Sequence, residues 1–156
     1  GMDTQTGGRM KRVRQYLNNE TFCFTYGDGV SDVRIDKLIE HHKKEKRKVT
    51  VTAIQPPGRY GVLEMDGDKV SNFNEKPSVE GGWISGGFFV AEPSALDMVK
   101  DDSMHWEMKP MQQLTSEGQV TAYKHSGFWQ AMDTLREKNM LEDLWNKGNA
   151  PWKVWA

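Results

Sequence analysis

A strand, an amphipathic helix and a second strand occupy residues 22–54, and this succession constrains the fold more than any other feature of the sequence. Residues 22–25 and 49–54 are rich in aromatic and β-branched side chains, which predicts two buried strands. The helix between them is predicted from apolar positions at helical spacing, namely Ile35, Leu38, Ile39 and His42. A strand–helix–strand segment of this length predicts a right-handed βαβ unit.

The rest of the chain extends this α/β pattern. Alternating residues on both sides of Asp66-Gly67 predict an antiparallel hairpin. Further strands are predicted at 83–91 and 120–123, and further helices at 10–18, 93–99, 112–117 and 134–145. We therefore expect one α/β domain over residues 1–156, with a mixed sheet, flanking helices and an antiparallel hairpin excursion.

Charge and cysteine content exclude several classes of protein. The formal net charge is -1, which argues against a general nucleic-acid or anionic-membrane binder. No apolar run is long enough to cross a membrane. The single cysteine, Cys23, allows no internal disulfide, and it is predicted to be a small core residue. These observations predict a cytoplasmic protein.

Asp28 is the first candidate functional residue. It follows the first strand and stands between Gly27 and Gly29. Ligands of open α/β sheets bind beyond the carboxyl ends of parallel strands. The alternative role is a helix cap, but Ser31 and Asp32 are better placed to cap the helix that follows. Glycine–aspartate turns are common, so a plain turn and a functional carboxylate are equal alternatives at this point.

Asp133 repeats the argument before the last helix. Thr134 and Glu137 form a T-x-x-E capping box, which leaves Asp133 without a structural role. Two such carboxylates could hold a divalent cation, most plausibly Mg²⁺ with its water shell, if the fold brings them together.

Three glycine- or charge-bearing segments are weaker candidates. The Gly7-Gly8 pair is expected to lie just before a helix, with main-chain N–H groups open to an anion. Lys76 is held extended by Pro77 and could bind a phosphate beside Glu75, although a surface ion pair is the commoner explanation. Gly86-Gly87 would let a ligand approach a strand, and a β-bulge explains this pair equally well. The four histidines are interpreted as non-catalytic.

Eight segments, in order along the chain, resemble those of the sugar-nucleotide pyrophosphorylases, a nucleotidyltransferase family. They are TGGR (6–9), FTYGDGVSD (24–32), PPGRYGVLE (56–64), FNEKP (73–77), SGGFFV (85–90), WEMKPMQQL (106–114), GFWQAMDT (127–134) and APWKVW (150–155). The GD and EKP elements are shared across the family, whereas TGGR, GFWQ-MDT and APWK are typical of its cytidylyl-transferring branch. The family's glycine-rich GGxGTR loop has no counterpart here, so we expect a Rossmann-like domain truncated at its N-terminus, the C-terminal part of a longer chain.

The resemblance implies transfer of a cytidylyl group from CTP to α-D-glucose 1-phosphate, giving CDP-glucose and pyrophosphate for surface-polysaccharide (lipopolysaccharide O-antigen) synthesis. It implies that Asp28 and Asp133 hold Mg²⁺ and that Lys76 binds the sugar phosphate. It also implies a homo-oligomer. The residues that it assigns to substrate binding are Gly61, Glu75, Gly86 and Gly87 for the glucose, and Gly8 and Arg9 for the cytidine nucleotide.

Two other functions stay open at this stage. One is a pyrophosphorylase that uses dTTP or UTP, because much of the base pocket would come from the absent portion. The other is a non-catalytic module for sugar-phosphate binding or oligomerisation. Because the triphosphate-binding loop is missing, we expect little or no transferase activity from residues 1–156 alone.

Overall fold

The computed structural model describes residues 2–56, 62–74 and 82–155. Short 3₁₀ helices occupy Arg14–Tyr16 and Pro93–Met98. The α-helices are α1 (Thr6–Val13), α2 (Ile35–Glu45), α3 (Lys109–Ser116) and α4 (Leu135–Asn146). The strands are β1 (Phe22–Thr25), β2 (Gly29–Ser31), β3 (Val49–Ile54), β4 (Val62–Asp66), β5 (Lys69–Asn74), β6 (Ile84–Ala91), β7 (Val120–His125) and β8 (Trp129–Ala131).

The main sheet has four strands in the order β1-β6-β3-β7. Strand β6 runs antiparallel to both of its neighbours, whereas β3 and β7 are parallel. The mixed sheet with flanking helices is therefore confirmed. The strands of the predicted βαβ unit, β1 and β3, are parallel because both pair antiparallel with β6, which lies between them. A segment far along the chain pairs with both strands, and the local pattern of residues 22–54 contains no information about it.

The core lies on one face of this sheet. Trp106, Leu96 and Leu114 are fully or almost fully buried there, against Val49 and Phe89 of the sheet. Helix α2 covers the opposite face, where it packs on β3, β6 and β7. These two layers bury the central strands from both sides, as their continuous β-branched and aromatic composition predicts.

The buried side chain of His42, on the inner face of α2, has a partner at each ring nitrogen. His42 is 2% exposed, and its Nδ1 lies 2.8 Å from the Thr50 hydroxyl. Its Nε2 lies 3.1 Å from Glu92 Oε1, which also accepts a 2.7 Å hydrogen bond from Thr21. The histidine predicted on the inner face of α2 is thus a satisfied core residue that links this helix to the sheet.

Several predicted inward side chains are exposed instead. Cys23 is exposed, because β1 is an edge strand of the described sheet and α2 packs on the other three strands. Ile35 is 40% exposed at the first turn of α2. Leu135 and Trp145 of α4 are also exposed, and Leu141 is the buried residue of that helix. Periodicity identified α2 and α4 correctly, but it assigned both of them a wider apolar face than the rest of the fold covers.

Two small antiparallel pairs complete the described fold. The predicted hairpin is confirmed as β4–β5, with Gly67 at φ +60° in the turn. Strands β2 and β8 form a separate two-stranded ribbon that the sequence did not predict. Among the described helices, none combines the length and the apolar character that crossing a bilayer requires.

Candidate functional site

The β2–β8 ribbon brings the two predicted carboxylate residues together. Its register pairs Gly29 with Ala131. One position further, the main-chain N–H of Met132 donates a 2.7 Å hydrogen bond to the carbonyl oxygen of Asp28. Asp133 is the next residue. The two aspartates therefore come from distant parts of the sequence but occupy neighbouring backbone positions at the end of the same ladder.

Neither carboxylate is used to hold the fold. Both residues are exposed, and neither side chain forms a hydrogen bond or ion pair within residues 2–56, 62–74 and 82–155. The predicted capping box is confirmed: Thr134 Oγ1 accepts from the Glu137 N–H at 3.2 Å, and Glu137 Oε2 accepts from the Thr134 N–H at 2.9 Å. This box leaves the Asp133 carboxylate free.

The helix after Asp28 begins differently from the expectation. Its N-cap is Arg34, which makes no capping hydrogen bond with its side chain. The prediction that Ser31 or Asp32 caps α2 is wrong, because Ser31 ends β2 and its hydroxyl accepts from the Val33 N–H at 3.2 Å. Asp28 lies in the turn between β1 and β2, away from the start of this helix. The capping alternative for Asp28 is therefore excluded.

The donor set of this pair suits Mg²⁺. No group of three or more His, Cys, Asp or Glu residues in the described part of the chain is arranged to hold a metal ion. Mg²⁺ keeps several of its waters and is commonly bound by one or two carboxylates together with substrate phosphates. Two aspartates at neighbouring positions, whose carboxylates have no partner among the described residues, fit that requirement, whereas they do not provide the complete protein shell that a structural metal needs.

Gly86 and Gly87 form a bulge beside the ribbon. The register between β3 and β6 shifts between Val51 and Ala53, and Gly87 has φ +77°. The β-bulge, one of the two predicted alternatives, is confirmed. A Cβ on Gly87 would lie 2.6 Å from the Tyr26 ring, so only glycine fits this position.

The same bulge is bonded to the second strand of the ribbon. The indole Nε1–H of Trp129 donates a 2.8 Å hydrogen bond to the Gly86 carbonyl oxygen. On its other side, a Cβ on Gly86 would lie 3.0 Å from Ile54 Cγ2. The bulge is thus the junction between the main sheet and the ribbon that carries Asp28 and Asp133. The structure brings these two glycines into contact with Trp129 of the ribbon and with Tyr26, which precedes the Asp28 turn.

A hydrogen-bonded cluster that the sequence did not predict lies at the base of the Asp28 turn. The Tyr26 hydroxyl donates a 2.5 Å hydrogen bond to Glu107 Oε1, and the Thr6 hydroxyl donates a 2.8 Å bond to Glu107 Oε2. Partial burial acts to raise the pKa of Glu107, but bonds from Tyr26, from its own main chain and from Thr6 hold that pKa below its ordinary value. The pKa of the Tyr26 hydroxyl is raised, first by burial and then by Glu107.

The helix α1 contradicts the expected geometry of Gly7 and Gly8. We predicted a helix at 10–18 with this pair outside it, but α1 begins at Thr6 and buries both glycines. A Cβ on Gly8 would lie 2.5 Å from the Asp102 Cα, and the Gly8 N–H donates to the Met104 carbonyl oxygen at 3.3 Å. The Gly8 N–H is therefore not open to an anion. Both positions require glycine because α1 packs directly on the backbone of residues 102–104.

The remaining predicted site residues are placed as follows. Arg9 is exposed, and its Nε donates a 2.8 Å hydrogen bond to the Thr4 carbonyl oxygen. The other three, Gly61, Glu75 and Lys76, lie outside the described residues, so their assigned roles stay predictions.

His125 contacts the end of the ribbon that lies away from Asp28. Its Nε2 lies 2.9 Å from Asp32 Oδ1 and 3.2 Å from the Ser31 hydroxyl. A Cβ on Gly127 would lie 2.4 Å from the same Asp32 oxygen, so this position also needs glycine. Both the carboxylate and the hydroxyl face Nε2, which is not the arrangement of a nucleophilic triad. The prediction that His125 is non-catalytic agrees with a role in fixing the ribbon.

An apolar cavity of about 220 Å³ adjoins Asp28. It lies between the Asp28 turn and α4, where Leu141 and Trp145 form one wall and Trp152 from the C-terminal segment forms another. The Trp152 ring packs on Phe128 with 5.4 Å between ring centroids. The C-terminal tryptophan motif therefore packs against the ribbon, as a packing role for these residues predicts.

Comparisons with known proteins agree with this fold. Residues 5–140 match the model of the nucleotidyl transferase family. The chain is 49% identical to glucose-1-phosphate cytidylyltransferase of Salmonella typhi, over 99% of this chain and 61% of that protein. It is 39% identical, with the same two coverages, to the probable glucose-1-phosphate cytidylyltransferase of Bacillus subtilis (strain 168). The chain thus spans about three fifths of the length of these relatives.

Solved structures share the architecture. A putative glucose-1-phosphate thymidylyltransferase from Bacillus anthracis, in complex with sucrose, has a TM-score of 0.65 at 15% identity, over 98% of this chain and 63% of that chain. HddC from Yersinia pseudotuberculosis has a TM-score of 0.65 at 20% identity, over 88% of this chain and 60% of that chain. Such structures show a common class, the α/β domain with a mixed sheet and flanking helices. Within that class, the chain belongs to the nucleotidyl transferase family.

Proposed function

We propose that this chain carries the metal- and sugar-binding part of an enzyme that transfers a cytidylyl group from CTP to α-D-glucose 1-phosphate, giving CDP-glucose and pyrophosphate. The observation that supports it best is the β2–β8 ladder, which brings Asp28 and Asp133 to neighbouring backbone positions, with neither carboxylate bonded to another described residue. The names and identities of the bacterial relatives support the choice of CTP and glucose 1-phosphate.

The reaction joins two anions, so the site has to offset their repulsion. A phosphate oxygen of the sugar attacks the α-phosphorus of CTP, and negative charge develops on the departing pyrophosphate. In this proposal Asp28 and Asp133 hold Mg²⁺, which, when bound, neutralises charge on the phosphates. The ribbon orients the two carboxylates, because its backbone hydrogen bonds fix both residues before substrate arrives.

The other assignments complete the substrate site. We propose that Lys76 binds the sugar phosphate as a point charge, and that Glu75 accepts hydrogen bonds from glucose hydroxyls. Main-chain groups of Gly61, Gly86 and Gly87 would border the sugar. The bulge at Gly86-Gly87 lies beside the ribbon, where both glycines are buried and the Gly86 carbonyl oxygen accepts from Trp129, so the assignment of these two residues rests on the family resemblance.

Arg9 is the candidate for the nucleotide phosphates, since it is exposed and near the start of α1. Gly8 would contribute to this region by allowing α1 to approach residues 102–104, and not through its N–H group.

The wider context is proposed on the same basis. We infer a homo-oligomer that acts in the cytoplasm, with CTP and glucose 1-phosphate as partners and no nucleic acid or membrane among them. The nearly neutral net charge and the single cysteine support this placement. The product would supply nucleotide-activated sugar for surface-polysaccharide (O-antigen) synthesis.

A transferase with another base or sugar is the second candidate. More distant relatives include a putative mannose-1-phosphate guanyltransferase of Sulfolobus acidocaldarius, 27% identical over 134 residues. The carboxylate pair alone does not select a base, so both candidates share the same chemistry at Asp28 and Asp133.

The experiment is magnesium-dependent pyrophosphate release with glucose 1-phosphate and each of the four ribonucleoside triphosphates, with dTTP added as a fifth. It is run on residues 1–156 and on the natural polypeptide that contains them. Release that requires CTP supports the cytidylyl assignment. Release with another nucleotide supports the second candidate, and the absence of release from both proteins contradicts the transferase proposal.

A further inference from the structure

Tyr26 connects the Asp28 turn to Glu107 and to Phe89 of β6. This tyrosine is two residues before Asp28, between the end of β1 and the turn. Its ring packs edge to face on Phe89, with 5.9 Å between centroids, and lies against Gly87. Its hydroxyl reaches Glu107 Oε1 at 2.5 Å. The ring is therefore confined on two sides, and its polar end has one protein acceptor.

Glu107 uses both carboxylate oxygens for distant segments of the chain. One oxygen accepts from Tyr26, 81 residues away, and the other accepts from Thr6, 101 residues away. The Thr6 hydroxyl oxygen in turn accepts the Trp106 N–H at 3.0 Å. An exposed glutamate would otherwise be free to rotate in solvent. Here two neutral hydroxyl groups donate to the ionised carboxylate, and these bonds fix the Glu107 side chain.

Met132 fixes the turn from its other end. Its N–H bonds to the Asp28 carbonyl oxygen at 2.7 Å. At Gly27, between Tyr26 and Asp28, no described atom lies within 4 Å of where a Cβ would be. Within the described residues the Gly27-Asp28 turn is thus held at two points, Tyr26 before it and Met132 after it.

We propose that Glu107 is a positioning residue for Asp28: by binding the Tyr26 hydroxyl, it holds the Gly27-Asp28-Gly29 turn in the conformation that places the Asp28 carboxylate beside Asp133. The link from this conformation to catalysis rests on the proposed function. The link from Glu107 to the conformation of the turn does not, so the two parts are tested separately.

The first test measures amide hydrogen exchange of the folded chain by NMR. The Met132 amide reports on the turn, and the Val49 amide, bonded to the Gln119 carbonyl oxygen at 3.0 Å, reports on the core. In Glu107→Ala, and equally in Tyr26→Phe, Met132 exchange is expected to accelerate about fivefold, the effect of one lost hydrogen bond, while Val49 exchange stays constant. Unchanged Met132 exchange, or equal acceleration at both amides, overturns the proposal.

A matched control uses a glutamate that is bonded elsewhere. Glu117 accepts a 3.0 Å hydrogen bond from Gln113 Nε2 at the end of α3. Glu117→Ala is expected to leave Met132 exchange unchanged. Acceleration in this variant as well would show a nonspecific effect and would also overturn the proposal.

The second test uses the natural polypeptide that contains this chain. With Glu107→Ala, we expect the magnesium concentration for half-maximal pyrophosphate release to rise about tenfold, while the KM for glucose 1-phosphate stays within about twofold. Affinity for Mn²⁺, measured by paramagnetic resonance, is expected to fall by the same factor. If exchange at Met132 changes but Mn²⁺ affinity does not, Glu107 has a purely structural role. A wild-type protein without transferase activity would contradict the proposed function alone, because the exchange and Mn²⁺ readouts still decide this proposal.

Discussion

The main-chain N–H of Met132 donates its hydrogen bond to the carbonyl oxygen of Asp28, and this contact closes the ladder on which the candidate site depends. It joins the turn after β1 to the segment before α4. Because Asp133 follows Met132 directly, one backbone bond brings two aspartates from distant segments to neighbouring positions at the end of the ladder. The proposed metal site is thus a consequence of the ribbon and not of either local motif.

Removal of either carboxylate is expected to abolish most of the transferase activity of the natural polypeptide. Asp28→Asn and Asp133→Asn keep the size of the side chain but remove the charge that would hold Mg²⁺. Loss of several kcal/mol of charge stabilisation corresponds to a decrease in kcat/KM of about 10²-fold or more. Asp3→Asn, in the exposed N-terminal segment, is the control and should retain activity. Full activity in either site variant would contradict the proposed metal site.

Gly87→Ala tests the junction between sheet and ribbon. The substitution combines a strained φ of +77° with a Cβ that would lie 2.6 Å from the Tyr26 ring. We expect the free energy of unfolding to fall by about 2–3 kcal/mol. Gly118→Ala is the matched control, because Gly118 has φ +66° and open space around its Cβ position. This substitution should lower the free energy of unfolding by only about 1 kcal/mol. Urea unfolding of both variants measures the difference, and equal losses would show that the Tyr26 contact is unimportant.

Trp129→Phe removes the indole donor and keeps an aromatic ring. The Gly86 carbonyl oxygen then loses its 2.8 Å hydrogen bond, which is expected to lower the free energy of unfolding by about 1–2 kcal/mol. Trp83→Phe, at an exposed tryptophan that contacts Lys124, should change it by less than about 0.5 kcal/mol. Thermal or urea unfolding followed by circular dichroism makes the comparison without relying on tryptophan fluorescence.

Glu107→Gln is expected to change the dependence of stability on pH. The folded-state pKa of Glu107 lies below its ordinary value of 4.5, so the folded protein binds fewer protons than the unfolded protein near pH 4. The stabilisation of the fold by the ionised Glu107 carboxylate is therefore complete above about pH 5. It is lost as the pH falls through the folded-state pKa of Glu107. At pH 7 the variant should be less stable by about 1 kcal/mol, a small value because the carboxylate is largely solvated.

The measurement for Glu107→Gln is urea unfolding at pH 7 and at pH 3.5. The difference between wild type and variant should shrink at the lower pH. A difference that stays constant between the two pH values would mean that the ionised carboxylate does not stabilise the fold.

Cys23 is expected to react with a maleimide in the folded chain. Its side chain is exposed on the uncovered face of β1, although partial desolvation raises the pKa of its thiol and slows the reaction relative to a free cysteine. Labelling followed by mass spectrometry should reach one adduct per chain without denaturant. Labelling that requires urea would restore the original prediction of a core cysteine.

The candidate site shows the limit of reasoning along the chain. The sequence singles out Asp28 and Asp133 because other residues nearby can cap the helices that follow, and for Asp133 the capping box of Thr134 and Glu137 confirms that reason. For Asp28 the reason is wrong, because Ser31 and Asp32 do not cap α2, and its role as a site residue stays a prediction. Glu107 was not identified, because nothing within its own segment indicates the partners Tyr26 and Thr6.

The sequence by itself determined the strands at 22–25 and 49–54, the β4–β5 hairpin, the capping box and the family. These features depend on residues that are neighbours along the chain, where the period of apolar positions and the turn chemistry are local. Only the tertiary structure decided that β6 separates β1 from β3, that Cys23 is exposed, and that the β2–β8 ribbon joins the two carboxylates. Strand pairing depends on which distant segments bury their surfaces together, and no single segment encodes that choice.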